Sequence, residues 1–110
     1  MPFWYFVRVP ELDPTVQHQS GTVDVVRYLL NEGDQVSPGT PLALVENYWA
    51  LLRIAATGPG YVSKTFFRPG MTVKVGDPIA IVNADGEDLP YDKPSATIEV
   101  VERKRAKSNK

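Results

Sequence analysis

Residues 33–47 read GDQVSPGTPLALVEN, and residues 70–84 read GMTVKVGDPIAIVNA. Laid one on the other, the two stretches keep an offset of 37 residues throughout. Gly33 falls on Gly70, Val36 on Val73, Gly39 on Gly76 and Pro41 on Pro78. Leu42, Ala43, Leu44 and Val45 fall on Ile79, Ala80, Ile81 and Val82. Upstream, GTVDVVRYLLNEG (21–33) parallels GYVSKTFFRPG (60–70), with two extra residues in the first copy.

Such a repeat has a physical reading. VDVVRYLL and YVSKTFF are rich in the β-branched and aromatic residues that suit a pleated surface. PLALV and PIAIV are short apolar runs bounded by turn residues, the pattern of buried strands. Each copy therefore reads as strand, glycine turn, short strand, Gly-x-Pro turn, strand. Neither half buries its apolar face alone, whereas two halves stacked as antiparallel sheets about 10 Å apart do. Two copies are too few, and their period too long, for a solenoid; pseudo-twofold pairing of the halves is the simpler solution.

Between the copies lies VENYWALLRIAATGPG (45–60). LALVE leads in and ALLRIAA leads out, so a hairpin centred on Asn47, Tyr48 and Trp49 is expected. Ala and Leu would also suit a helix over 46–56, but Gly58-Pro59-Gly60 ends the segment and the repeat requires a strand leading on from Gly60. Two bulky aromatics at a turn are unusual, since tight turns favour Gly, Asn or Asp. FWYFVRVPEL (3–12) reads as a strand ending near Pro10, and SATIEVVE (95–102), with alternating apolar and polar residues, as the last strand. Residues 83–94, NADGEDLPYDKP, read as an acidic, turn-rich loop.

Composition narrows the function classes. The chain has 110 residues, enough for one domain, which we place at 1–102. Residues 103–110, RKRAKSNK, carry five basic residues and no acid, and are expected to be a disordered, solubilising tail. The remainder holds 7 basic against 13 acidic residues, a net of −6. An acidic body with a basic tail is not the footprint of a nucleic-acid binder. No apolar run approaches the ~20 residues of a membrane span, and MPFWYFVRVP has neither the basic region nor the cleavage site of a secretory leader. The expected compartment is cytoplasmic, with neither nucleic acid nor membrane as partner. There is no cysteine, and the single histidine, His18, has no ligand or catalytic set around it, so no metal is expected. No nucleophile–base set and no phosphate-cradling loop appears. Asp85, Glu87, Asp88 and Asp92 do not follow calcium-loop spacing. An independent enzyme is not expected, and no catalytic residue is assigned.

The pattern resembles the biotinyl/lipoyl attachment domain. The residues that carry the resemblance are Glu32, Gly33, Asp34, Val36, Gly39, Pro41 and Leu42 in the first copy, and Gly70, Val73, Gly76, Pro78 and Ile79 in the second. VRVPEL (7–12) is similar to the first strand of lipoyl domains, and the absence of a thumb-like insertion leans towards the lipoyl form. The resemblance implies an all-β barrel-sandwich hybrid of two four-stranded antiparallel sheets. It also implies biotin or lipoate on a lysine at the tip of the hairpin between the halves. Counted ten residues on from Gly39, or eleven back from Gly60, that position is Trp49.

That residue decides the chemistry. Attachment needs a primary amine to attack an activated acyl group, and an indole N–H is a donor only. No lysine occurs from Gly33 to Ser63; Arg53, the lone basic residue there, stays protonated. No cofactor is therefore expected at Trp49. The expected function is a non-enzymatic binding or scaffold module that docks a protein partner, such as an enzyme handling carrier domains, through Asn47, Tyr48 and Trp49. Trp and Tyr are enriched among interface hot spots. Trp49 has a competing role, folding back to cover the core. Two other functions were weighed: a biotin or lipoyl carrier with an unusual attachment site, and a relative of membrane-fusion adaptors, whose lipoyl-like halves also lack the lysine but flank a long helical hairpin.

Overall fold

The computed structural model describes residues 3–17, 21–84 and 93–105. His18 and the acidic residues Asp85, Glu87, Asp88 and Asp92 lie outside the described residues. Among these there are nine strands: β1 (Phe3–Arg8), β2 (Thr22–Tyr28), β3 (Gln35–Val36), β4 (Pro41–Glu46), β5 (Ala50–Ala56), β6 (Gly60–Thr65), β7 (Thr72–Lys74), β8 (Pro78–Ala84) and β9 (Ala96–Arg103). One sheet has the order β1-β8-β6-β3 and the other β7-β2-β4-β5-β9, with every pairing antiparallel. The protein is an all-β barrel-sandwich hybrid.

The two copies fold as copies. Exchange β1–β4 with β5–β8 and the first sheet becomes β5-β4-β2-β7, the first four strands of the second. The turns match bond for bond. Ser37 N donates to Thr40 Oγ1 at 3.0 Å while Thr40 N donates to Ser37 O at 2.9 Å; 37 residues on, Lys74 N donates to Asp77 Oδ2 at 3.0 Å and Asp77 N to Lys74 O at 2.9 Å. Gly39 N reaches Ala56 O at 2.8 Å and Gly76 N reaches Val9 O at 2.8 Å. Both of these turns need the left-handed backbone that glycine adopts freely, with φ of 92° at Gly39 and 93° at Gly76. Even the irregularities recur: β2 slips register against β4 between Val25 and Arg27, and β6 against β8 between Val62 and Lys64. Bulges re-aim a strand at a chosen point, so their repetition marks a shared design.

The core lies between the sheets and is built from equivalent residues. Val36 and Val73, Leu42 and Ile79, Ala43 and Ala80, and Val45 and Val82 are all buried. β5 alternates strictly, burying Ala50, Leu52, Ile54 and Ala56. Each fully buried valine or leucine contributes about 1.5–3 kcal/mol relative to exposure, so the paired rows, not the turns, supply most of the stability. Where the second copy begins, the sheets come close. A Cβ on Gly60 would stand 2.3 Å from Asn83 O, with φ at 140°, so no side chain fits there.

Two expectations need correction. The second sheet has five strands rather than four, because β9 adds to the outer edge of β5 from Ala50↔Arg103 to Ala56↔Ala96. An unpaired β5 edge would leave a row of backbone groups without partners. β9 supplies them, buries Ala96 and lays Ile98 and Val100 against the core. The second correction concerns the basic tail: Arg103 closes β9, and Lys104 and Arg105 fold onto the hairpin between β4 and β5. Smaller differences are at strand ends. β1 stops at Arg8 rather than Pro10, with Val9 bonding Asp77 and Gly76 through its backbone.

Candidate functional site

Only Asn47, Tyr48 and Trp49 separate β4 from β5. No long insertion occupies the junction of the two copies. Asn47 makes so short a connection possible. Its backbone N donates to Ala50 O at 3.0 Å, closing the hairpin. Its Oδ1 accepts from Trp49 N at 2.8 Å and from Ala50 N at 3.0 Å. This is the local side-chain-to-backbone bonding that makes asparagine a turn former. Its Nδ2 donates to Val16 O at 2.6 Å, which ties the hairpin to the loop after β1, where Val16 is wholly buried. Asn47 is thus consumed by structure. Of the three residues expected at the tip, it presents least to a partner.

The two aromatics divide the remaining roles. Trp49 is half-buried and packs against the core, covering the end of the barrel. Tyr48 points outward, 58% exposed. Their rings meet edge to face, centroids 4.8 Å apart at 88°, the arrangement that the ring quadrupoles favour. Trp49 therefore braces Tyr48 from behind.

The end of β9 encloses the same turn. Lys104 N donates to Trp49 O at 2.9 Å and Arg105 N to the same oxygen at 3.3 Å. Lys104 Nζ reaches Glu46 Oε2 at 2.8 Å and Asn47 O at 3.2 Å. Arg105 Nη1 donates to Tyr48 O at 2.7 Å, and its guanidinium lies 4.0 Å from the centre of the Tyr48 ring. A cation over an exposed ring contributes about 0.5–1 kcal/mol. Arg103 turns the other way and donates to Thr15 Oγ1 at 3.1 Å. Thr15 in turn bonds Asp13 through both its hydroxyl and its amide, which, with Arg103 nearby, holds the Asp13 carboxyl below its usual range.

Sequence reasoning named Asn47, Tyr48 and Trp49 and missed Glu46, Lys104 and Arg105. The missing signal was register. ALLRIAA buries alternate residues and needs a partner on its open edge, and alternation in 96–103 offers one. Pairing the two antiparallel brings residues 103–105 to the turn.

A separate groove of about 1180 Å³ runs along the outer edge of β1, lined by Trp4, Phe6, Arg8, Val75, Pro94 and Ile98 among others. It touches none of the hairpin residues. Among the described residues, no group of three or more His, Cys, Asp or Glu side chains could hold a metal ion, and no helix is long and apolar enough to cross a membrane.

The chain is 37% identical over 82 residues to the pyruvate dehydrogenase E1 component subunit beta of Rhizobium meliloti (strain 1021), covering 74% of this chain and 17% of that one. It is 32% identical over 102 residues to the dihydrolipoyllysine-residue acetyltransferase component 3 of the pyruvate dehydrogenase complex, mitochondrial, of Arabidopsis thaliana, covering 89% of this chain and 18% of that one. To the pyruvate dehydrogenase protein X component, mitochondrial, of Mus musculus it is 30% identical over 82 residues, covering 74% and 16%. The chain thus spans about a fifth or less of the length of these relatives. No solved structure matches significantly. The family model described as biotin-requiring enzyme matches residues 7–85. That span runs from the first fully buried valine of β1 through the end of β8, the whole of both copies, and the chain belongs to this biotin/lipoyl family.

Proposed function

We propose that the protein is a non-enzymatic docking module of a multienzyme assembly of the pyruvate dehydrogenase type, and that it presents the tip of the β4–β5 hairpin to a protein partner. The observation that carries this reading is the state of Tyr48: a largely exposed aromatic ring, held by Trp49 behind it and by Arg105 over it. A ring already fixed in place loses little freedom when a partner covers it, which favours binding. The relatives support the assembly, since all three are named as pyruvate dehydrogenase components. The turn itself supports the absence of a group on residue 49, for it offers an indole packed on the core where attachment needs a free amine. The short turn also argues against the adaptor alternative, which requires a long helical insertion at this point.

The test is a binding titration against the pyruvate dehydrogenase components encoded in the same genome, with thermal unfolding as control. Tyr48→Ala is expected to weaken association about tenfold or more, the ~1.4 kcal/mol or greater loss of a hot-spot residue, with Tm within a few degrees of wild type. Trp49→Ala is expected to lower Tm. Equal affinity for wild type and Tyr48→Ala would refute the tip as the docking surface.

A further inference from the structure

The turn has no amine of its own, yet one lies against it. Lys104 stands one residue past β9, and its Nζ sits 3.2 Å from Asn47 O and 2.8 Å from Glu46 Oε2. Its backbone is fixed there by the bond from Lys104 N to Trp49 O at 2.9 Å. The other described lysines are elsewhere. Lys64 lies on β6 in the opposite sheet, and Lys74 lies on β7 at the far edge of its own sheet. Lys93 precedes β9, whose start pairs with the end of β5 remote from the turn. Among the described lysines, Lys104 alone belongs to the hairpin tip.

We propose that Lys104 is the acyl-acceptor lysine of this domain, taking a lipoyl group onto its Nζ from an activated donor, a lipoyl adenylate. The relatives that point to lipoyl rather than biotin are those named for a dihydrolipoyllysine residue. The carboxylate of Glu46 is placed to take a proton from the Lys104 ammonium. The freed amine lone pair attacks the carbonyl carbon of the mixed anhydride and forms a C–N bond. The C–O bond to the phosphate breaks, and AMP leaves with that electron pair. The second proton passes from nitrogen to water, leaving a neutral amide. No group is oxidised or reduced, and the dithiolane ring is untouched. Reaching the donor requires the amine to leave Glu46. That ion pair is open to solvent on both sides, with side chains 30% and 42% exposed, and pairs of that kind are weak.

This inference rests on the tip being the surface that partner enzymes meet, and it adds an acceptor to that surface. The test is intact-mass measurement after co-expression with a lipoate–protein ligase and lipoate, with a parallel arm using a biotin ligase and biotin. A single lipoyl adduct is expected, located on Lys104 by peptide mapping. It is expected to vanish in Lys104→Arg and to persist in Lys64→Arg and Lys93→Arg. Lys104→Arg keeps a cation beside Glu46, so thermal unfolding is expected to match wild type. No adduct in the lipoate arm, an adduct only in the biotin arm, or a lipoyl adduct retained by Lys104→Arg overturns the proposal. Docking is measured separately on the unmodified protein with Tyr48→Ala. A lost adduct beside intact docking defeats Lys104 alone, and an adduct beside Tyr48-independent docking defeats the docking reading alone.

Discussion

At the scale of single residues, the hairpin tip separates side chains that look alike in sequence by what each touches. Asn47 makes three side-chain hydrogen bonds, two within the turn and one to the carbonyl of buried Val16. Each such bond contributes about 0.5–1.5 kcal/mol net, and unpaired groups left behind cost more. Asn47→Ala is therefore expected to destabilise the domain by about 2–3 kcal/mol. For a domain of this size that is a fall in Tm of roughly 10–20 °C, measured by thermal unfolding. Tyr48→Ala, which removes an exposed ring, is expected to cost under about 1 kcal/mol. Asn47→Ala falling no further than Tyr48→Ala would mean that the turn holds without its side-chain bonds. The residue scale also marks how far the sequence alone reaches. That a turn sits at 47–49 follows from the repeat, because apolar runs on both sides leave no other place for the chain to reverse. Which aromatic faces water does not follow. Tyr48 and Trp49 are neighbours of similar character, and the sorting is made by the open barrel end beneath Trp49 and the guanidinium above Tyr48.

At the scale of elements, the strands of the two copies were legible and β9 was not placed. Glycines at turns and alternating apolar residues are local signals, and they recur at a fixed offset. The pairing of β9 with β5 joins residues 46 or more apart, from Ala50↔Arg103 to Ile54↔Ile98, and nothing local announces it. Cross-strand complementarity is visible only once the register is known: Arg53 stands opposite Glu99 and pairs with it. The consequence is functional, since β9 delivers Lys104 and Arg105 to the tip. Truncation after Glu102 removes both and leaves most of the β5–β9 ladder. It is expected to keep the fold, with Tm lower by only a few degrees, because the lost contacts are surface ion pairs and one cation–ring contact of about 0.5–1 kcal/mol. Amide exchange at Tyr48–Leu51 is expected to quicken by several-fold while β8 amides stay protected, read by hydrogen exchange. Unchanged exchange at the turn would show that β9 ends do not restrain it.

At the scale of the whole molecule, two tyrosines staple one copy to the other. Tyr5 on β1 donates its hydroxyl to Pro59 O at 3.0 Å, just before β6. Tyr28 at the end of β2 donates to Ile79 O on β8 at 2.8 Å. Both phenols resist ionisation because burial disfavours the charged phenolate; Tyr5 is pushed up to about 12, and Tyr28 is raised too despite the opposing bond from the Phe67 amide. The sign of the pH dependence follows. An unfolded tyrosine ionises near pH ~10, so above that pH the unfolded chain releases protons that the native protein keeps. The stabilisation is complete below about pH 10 and is lost as the pH rises through about 12. For Tyr5 alone, two units correspond to on the order of 2–3 kcal/mol, enough to loosen a domain whose total stability is about 5–15 kcal/mol. Tm is therefore expected to hold steady from neutral pH to about pH 10 and then to fall steeply, with tyrosinate absorbance rising together with unfolding. Tyr5→Phe keeps the ring in the core and removes the titration, so its Tm is expected to be lower at neutral pH, by the lost bond to Pro59, and flatter above about pH 10. If the double variant Tyr5→Phe, Tyr28→Phe fell as steeply in alkali as wild type, the alkaline weakness would belong to the lysines and not to these staples. The hairpin tip would register either result, because the barrel on which Trp49 rests opens only when the two copies part.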